Sequence, residues 1–357
     1  MNIQIIRTLY PHWGRYSGIN QFVRYLDPDT HRVNIHVASD SDEDFYVQSE
    51  WVRGLFRRFI QKRGMRWYKL SDLAAEMKVF RKCWRRKVDI IHCLDGEHSI
   101  QFLPTLLKTL PRRRPKLIGT YHQPPELLGS LIIRDLIGRL DCVTVVSPEQ
   151  VSYFSEFVVP HDKIRLILHG IDVDFFRPGS NQKDERKFKC ITVGHWLRDV
   201  ETIRKVAEKL SSYKKIEFHL VSPRGSEAED LANVIIHKGV DDARLLELYQ
   251  QSDILFLPLL QSTANNALLE GIACGLPVVS TFLPSVKAYL PGKEAILVEE
   301  NHPDQFVEAI LHLCNNSADR SNMAQEARKR AEELDWRKIA PQFEAVYSDL
   351  VNQESSY

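Results

Sequence analysis

Between residues 262 and 280 the chain reads STANNALLEGIACGLPVVS. A polar turn of Ser262, Thr263, Asn265 and Asn266 leads into Ala267 and Leu268, then Glu270 and a small-residue helix over 271–274, with a strand from Pro277. The first turn of a helix has backbone N–H groups without intrahelical partners, so a polar turn at a helix start is a seat for anions. A carboxylate about one turn further in can accept two hydrogen bonds from a ribose diol. Together these features suit a nucleotide sugar. A plain buried helix with Glu270 in solvent accounts for the same residue types, and those types alone leave both readings open.

The segment resembles the donor-site signature of retaining glycosyltransferases of family 4, which have the GT-B fold. In that pattern an acid is followed eight positions later by Glu, then by small residues and CGLPVV. Glu270 and residues 273–279 match, whereas the earlier acid is replaced by Ser262. The resemblance implies that Glu270 anchors the ribose. The helix start near Asn266, Ala267 and Leu268 would hold the diphosphate, with Asn265 or Ser262 standing in for the missing acid at the sugar.

Gly194 follows a strand, where backbone can approach a ligand closely, and Arg198 lies four residues on, within reach of a diphosphate. The family places cations in this loop to neutralise the leaving group. His195 occupies the usual Arg position, so Arg198 is the best surviving cation and Lys287 a weaker one. An ordinary surface arginine is the competing reading. In the loop 237–242 the resemblance implies backbone recognition of the base near Lys238 and Val240, while Asp241 or Asp242 also suits a helix N-cap. Gly18, with Ser17 beside it, sits in a glycine-containing turn after the first strand whose spacing is not GxGxxG. It resembles the family loop that faces the donor diphosphate and the acceptor. His122, just past a strand, matches a family histidine that contacts the donor sugar. Ser17, His92 and the run Asp95, Gly96, Glu97 and His98 are placed on the acceptor side, where His92 or a residue of that run could supply a base. His122, Arg198 and Glu270 are the expected catalytic set.

These residues need a scaffold. Short apolar runs fall at 3–6, 33–38, 90–93, 117–121, 142–146 and 164–167, then at 189–193, 217–221, 234–237, 254–258, 277–280 and 295–298. Helix-period segments such as 200–210 and 243–250 separate them. The pattern predicts two doubly wound parallel sheets. The expected architecture is α/β of the GT-B type, two Rossmann-like domains facing a central cleft. The first domain spans 1–170 and carries the acceptor side; the second, 171–335, binds the donor. A helix over 336–357 would cross back to the first domain. The break follows His169 and Gly170 at a turn resembling the family hinge, and 181–189 reads as an exposed linker.

At 357 residues, 43% hydrophobic and 27% charged, the chain is globular and long enough for two domains. It shows no apolar run long enough to span a bilayer and no signal-peptide pattern at its start. Six scattered cysteines fit reduced core residues of a cytoplasmic protein. The net charge is +1, yet residues 51–90 hold 13 basic and 3 acidic side chains. Within this stretch Trp51, Val52, Leu55, Phe56, Phe59 and Ile60 are placed on one helical face, with Arg53, Arg57, Arg58, Lys62 and Arg63 on the other. With 81–87, this predicts contact of 51–69 with an anionic membrane surface, at its inner face, or else a packed helix with a solvated basic side. No nucleic-acid motif is present. The acidic pairs Asp40/Asp42 and Asp172/Asp174 do not suit a metal site, and no metal or cofactor is expected.

The expected function is transfer, with retention, of a hexose from a nucleotide diphosphate sugar, UDP-glucose or a related UDP-hexose, to a saccharide or lipid-linked saccharide. Two alternatives stand beside it: a nucleotide-sugar epimerase or hydrolase of the same fold, and a non-catalytic membrane-associated binding protein.

Overall fold

The computed structural model describes residues 1–10, 14–42, 45–62, 64–111, 114–179, 186–222 and 228–352. Arg63, Glu43, Asp44 and most of the expected linker (181–185) lie outside them. The chain divides into two compact units, residues 1–13, 22–169 and 337–357 in one, and 14–21 with 170–336 in the other. The segment 14–21, assigned from sequence to the first domain, therefore belongs to the second unit. Among the described residues no helix is long and apolar enough to cross a membrane.

The first unit holds six parallel strands, β1 (Asn2–Leu9), β2 (Arg32–Ser39), β3 (Ile90–Cys93), β4 (Lys116–Tyr121), β5 (Cys142–Val145) and β6 (Ile164–Leu166), in the order β2-β1-β3-β4-β5-β6. The second holds β7 (Phe188–Val193), β8 (Ile216–Val221), β9 (Val234–His237), β10 (Ile254–Leu257), β11 (Val278–Thr281) and β12 (Ala295–Val298), in the order β12-β11-β10-β7-β8-β9. Every strand is where the apolar runs place it. Central strands such as β3, β5, β10 and β11 are buried along their whole length. Helices cover both faces of such sheets, so these strands read as continuous apolar runs. Strand order reverses between β1 and β3 and again between β7 and β10. In open sheets ligands settle beyond the carboxyl ends at those reversals.

The terminal helix Trp336–Asn352 closes the first unit. Phe343 stacks on Phe22 at 4.5 Å, and the Tyr347 hydroxyl meets His92 Nδ1 at 2.7 Å. The loop after β3 is clamped by Glu76, a fully buried residue of the helix Leu70–Arg85. Its carboxylate accepts the N–H groups of Ile100 and Gln101 at 2.8 Å, of Phe102 at 2.9 Å and of Leu103 at 3.3 Å, and the Tyr68 hydroxyl at 3.1 Å. Ile100 has φ +114°, a strained backbone for a β-branched residue, and the clamp holds it there. Burial pushes the Glu76 carboxyl up to about 7 against the pull of these donors.

Glu76→Ala strands four backbone N–H groups and releases the strain at Ile100. It should cost about 3 kcal/mol or more in urea unfolding. A stability within a few tenths of wild type would show that the clamp does not hold the loop.

Candidate active site

In the second unit the reversal between β7 and β10 brings two loops together. Arg198 and Leu259 form an isolated antiparallel bridge, and Leu260 N donates to Leu197 O at 3.0 Å. Gly194 takes φ +84°, which glycine allows without strain, and turns the chain tightly off β7. The Arg198 guanidinium folds back into that turn. It donates to Val193 O from Nε at 3.1 Å and from Nη2 at 2.8 Å, and to Trp196 O from Nη1 at 3.1 Å. Its Nη2 also reaches Asn265 Oδ1 at 3.2 Å. Arg198 is thus a buttress of the loop as well as a charge, and not an ordinary surface arginine. Burial lowers its pKa to about 10, so it stays cationic at neutral pH.

Asn265 is the N-cap of the helix Asn266–Ala273. The same Oδ1 accepts Leu268 N at 3.3 Å, and Leu269 N donates to Asn265 O at 3.1 Å. The N–H groups of Asn266 and Ala267 make no hydrogen bond among the described residues. No acidic residue sits in the first turn. A guanidinium and the positive end of a helix dipole therefore converge with no anion between them, which is the electrostatic signature of an anion seat. At the far end of the helix Arg328 donates to Ala273 O at 2.7 Å, the favourable placement of a cation.

Glu270 is 4% exposed. Ser17 Oγ donates to Oε1 at 2.5 Å and the Tyr249 hydroxyl to Oε2 at 2.8 Å. Burial raises its pKa and these two hydrogen bonds oppose the rise. Ser17, expected on the acceptor side, instead belongs to a strap over 14–21. Arg15 N donates to Asp242 Oδ2 at 2.8 Å, and Tyr16 stacks on Phe175 at 3.7 Å. Gly18, with φ +91°, turns the strap. Of the other expected donor residues, Ser262 is buried with Oγ donating to Thr263 O at 3.2 Å, and His195 and Val240 are part-buried. Asp241 caps the helix Asp242–Gln251. Lys238 points instead at exposed Glu229, 3.2 Å away, and Lys287 donates to Pro291 O. Both therefore have partners within the fold.

In the first unit His122 Nε2 lies 2.7 Å from Leu94 O; a carbonyl only accepts, so Nε2 carries the proton. Glu97 is buried and accepts the backbone N–H groups of His122 and Gln123, so it shapes this turn. His92 is fully buried, with Nε2 2.7 Å from Thr120 Oγ1 and Nδ1 on Tyr347. Burial lowers its pKa to about 3. With both nitrogens engaged in the core it fastens the terminal helix, which corrects its assignment as a base. Asp40 pairs with Lys69, and Asp42 pairs with Arg57.

Sequence reasoning named Asp95 and His98 on the acceptor side but missed Thr8, Tyr10, Trp67 and Asp72, which make a polar cluster with them at the β1/β3 reversal. Asp95 Oδ2 accepts Thr8 N at 2.8 Å, and the rings of Tyr10 and Trp67 flank His98 at 5.5 and 5.2 Å. The buried atoms Thr8 Oγ1, His98 Nδ1 and Asp72 Oδ1 have no hydrogen-bond partner among the described residues. The signal was available in part, because Thr8 and Asp95 sit at the carboxyl ends of the two strands that flank the reversal.

Comparison with known proteins bears on the family and the fold. A family model described as Glycosyltransferase Family 4 matches residues 18–175, and one described as Glycosyl transferases group 1 matches residues 188–316. The chain is similar to N-acetyl-alpha-D-glucosaminyl L-malate synthase of Bacillus anthracis, 24% identical over 314 residues, which is 81% of this chain and 82% of that protein. In fold it is similar to sucrose-phosphate synthase from Thermosynechococcus elongatus, with TM-score 0.72 and 16% identity over 98% of this chain and 99% of the other. It is also similar to Anabaena HepE, solved in complex with UDP and glucose, with TM-score 0.67 and 12% identity over 97% of this chain and 99% of the other.

Asn265→Ala removes the cap and one partner of Arg198 together. Thermal unfolding should show a loss of about 1 kcal/mol, largely restored by Asn265→Asp. An alanine variant as stable as wild type would remove Asn265 from the role given to it.

Proposed function

The chain belongs to the family 4 type of glycosyltransferases with the GT-B fold, and on that footing we propose that it transfers a hexose from UDP-hexose to a saccharide or lipid-linked saccharide, with retention. The observation that carries the donor half is the unopposed positive charge at the start of Asn266–Ala273. The diphosphate takes the N–H groups of Asn266 and Ala267, with Arg198 behind them. The ribose diol comes to Glu270, sharing its oxygens with Ser17 and Tyr249 or displacing Ser17. That HepE holds UDP and glucose on a similar fold supports this choice of donor.

In the reaction the bond between the anomeric carbon and the diphosphate oxygen breaks, and a hydroxyl oxygen of the acceptor bonds to that carbon on the same face. The hydroxyl proton passes to the departing diphosphate. The protein's share is to hold and stabilise the charge that builds on the leaving group. In the first unit His122 is the candidate for contact with a sugar. The polyhydroxyl acceptor meets the polar atoms of Thr8, Asp72 and His98, flanked by the Trp67 and Tyr10 rings.

We read the helix Glu50–Gln61 as the contact with an anionic membrane surface. Its faces divide differently from the sequence expectation. Ile60 is buried, and Arg53 and Arg57 pair with Glu50. The exposed stripe is Trp51, Leu55, Arg58, Phe59 and Lys62, apolar and basic together, with Trp51 75% exposed. Aromatic residues beside cations suit the headgroup layer. Changing Trp51 and Leu55 to Ser should release the protein from sedimenting anionic vesicles; undiminished sedimentation would remove this helix from the interface.

The donor reading is tested with UDP and its 2′,3′-dideoxy analogue in calorimetry. Wild type should prefer UDP by about tenfold or more, and Glu270→Ala should bind the two alike. Equal binding of both by wild type would show that the ribose does not reach Glu270.

A further inference from the structure

In the first unit a cavity of about 480 Å³ lies beneath the helix Leu70–Arg85 at the edge of the sheet. β1 and β2 run parallel with Asn2 opposite Arg32 and Gln4 opposite Asn34. Alternation along the strands therefore puts Asn2, Gln4, Arg32, Asn34 and His36 on one face, and all five line the cavity. A sheet face beneath a helix is ordinarily apolar, as Ile3 and Ile5 are on the opposite face of β1. Here Gln4 and His36 are buried and joined at 3.0 Å, and Gln4 Nε2 donates to Asn2 Oδ1 at 2.8 Å.

The wall is cationic. Lys78, Arg81, Lys82, Arg85 and Arg86 face this floor, and no carboxylate lines the cavity. None of these five, nor Arg32, makes an ion pair with a described carboxylate, whereas Arg53 and Arg57 on the neighbouring helix do. Lys78 with Lys82 and Arg81 with Arg85 are like charges four residues apart, a spacing that destabilises a helix. Burial, then Lys82 and Lys78, depress the His36 pKa to about 4, so the ring is neutral and adds no charge of its own. Lys78 and Arg81 lie over the exposed Tyr46 ring at 5.5 and 5.9 Å, a contact that does not neutralise them.

An anion removes the repulsion, and the shape narrows its class. The volume is that of a small-ligand pocket, not a groove tracking a nucleic-acid strand. Guanidinium groups pair bidentately with phosphoryl oxygens, and amides on the floor suit hydroxyl groups. The cavity opens at the starts of β1 and β2, the opposite end of this sheet from the β1/β3 reversal, so its ligand is neither the hexose nor the hydroxyl that receives it. We propose that this cavity binds a phosphomonoester, its phosphoryl oxygens held by Arg81, Arg85 and Lys82 and its hydroxyl groups by Asn34. Lys82 also reaches Asn34 Oδ1 at 3.4 Å, and both ends of the Asn2 amide are engaged, with Lys87 O and Gln4. The source is a soluble phosphorylated polyol or the headgroup of a phosphorylated lipid.

Two arms separate the sources. The full chain, saturated with UDP, is titrated calorimetrically with glycerol 3-phosphate, and it is sedimented with phosphatidylcholine vesicles with and without phosphatidic acid. Saturable binding of glycerol 3-phosphate marks a soluble ligand, and binding to phosphatidic acid vesicles alone marks a lipid headgroup. In either arm the paired change Arg81→Ala with Arg85→Ala should weaken binding about tenfold or more. Arg32→Ala, on the sheet side, should weaken it too, with urea midpoints checked for both proteins. The Trp51 and Leu55 changes should leave the glycerol 3-phosphate arm unaltered. No binding in either arm, or equal binding by the variants, overturns the proposal.

Discussion

The second unit is organised around one electrostatic conflict. A guanidinium and the amino end of a helix, both positive, are held against a single amide oxygen, Asn265 Oδ1. Left alone this placement is unfavourable, because a cation belongs at the other end of a helix, where Arg328 sits. The fold nevertheless spends most of the Arg198 donors on main-chain carbonyls to keep it there. An anion at the helix start would resolve the conflict, and the proposed diphosphate is such an anion. The conflict also accounts for a site without an acid at position 262: Ser262 turns its hydroxyl to Thr263 O, and the charge at the helix start stays uncancelled.

Glu270 supplies the complementary constraint. Its carboxylate is buried and made tolerable by two hydroxyl donors, one from the body of the unit and one from the strap over 14–21. A ribose offers the same chemistry as Ser17, a hydroxyl donating to a carboxylate oxygen. Exchange of one for the other keeps the buried acid solvated throughout, at little net cost in hydrogen bonds. Under the proposed function, the strap is tied to donor occupancy by chemistry and not by bulk.

The scaffold was legible in the sequence because central parallel strands such as β3, β5, β10 and β11 are buried along their length and mainly apolar, and even β1 and β2, polar on one face, keep apolar residues on the other. Asn265 and Glu270 were legible because a helix start and an isolated acid have local signatures. The partners were not. Ser17 lies 253 residues from Glu270, and Tyr249 reads as an ordinary core aromatic. His92 looked like a base after a strand; only its two neighbours, Thr120 and Tyr347, reveal a core hydrogen-bonding role. The basic run at 81–87 was visible as composition, but the alternation of Asn2, Gln4, Asn34 and His36 beneath it makes it the wall of a cavity. Local pattern finds elements and caps, whereas long-range hydrogen bonds decide which polar residues serve the fold and which remain for a ligand.

Under the proposed function a pyrophosphoryl group docks on the amide-rich start of Asn266–Ala273 with its pentose at Glu270. A crystal structure of the chain soaked with UDP tests it most directly. Phosphate oxygens should sit on the N–H groups of Asn266 and Ala267, with ribose hydroxyls at the Glu270 carboxylate. A well-ordered nucleotide elsewhere, with Ser17 still on Glu270 and the helix start bare, would contradict it.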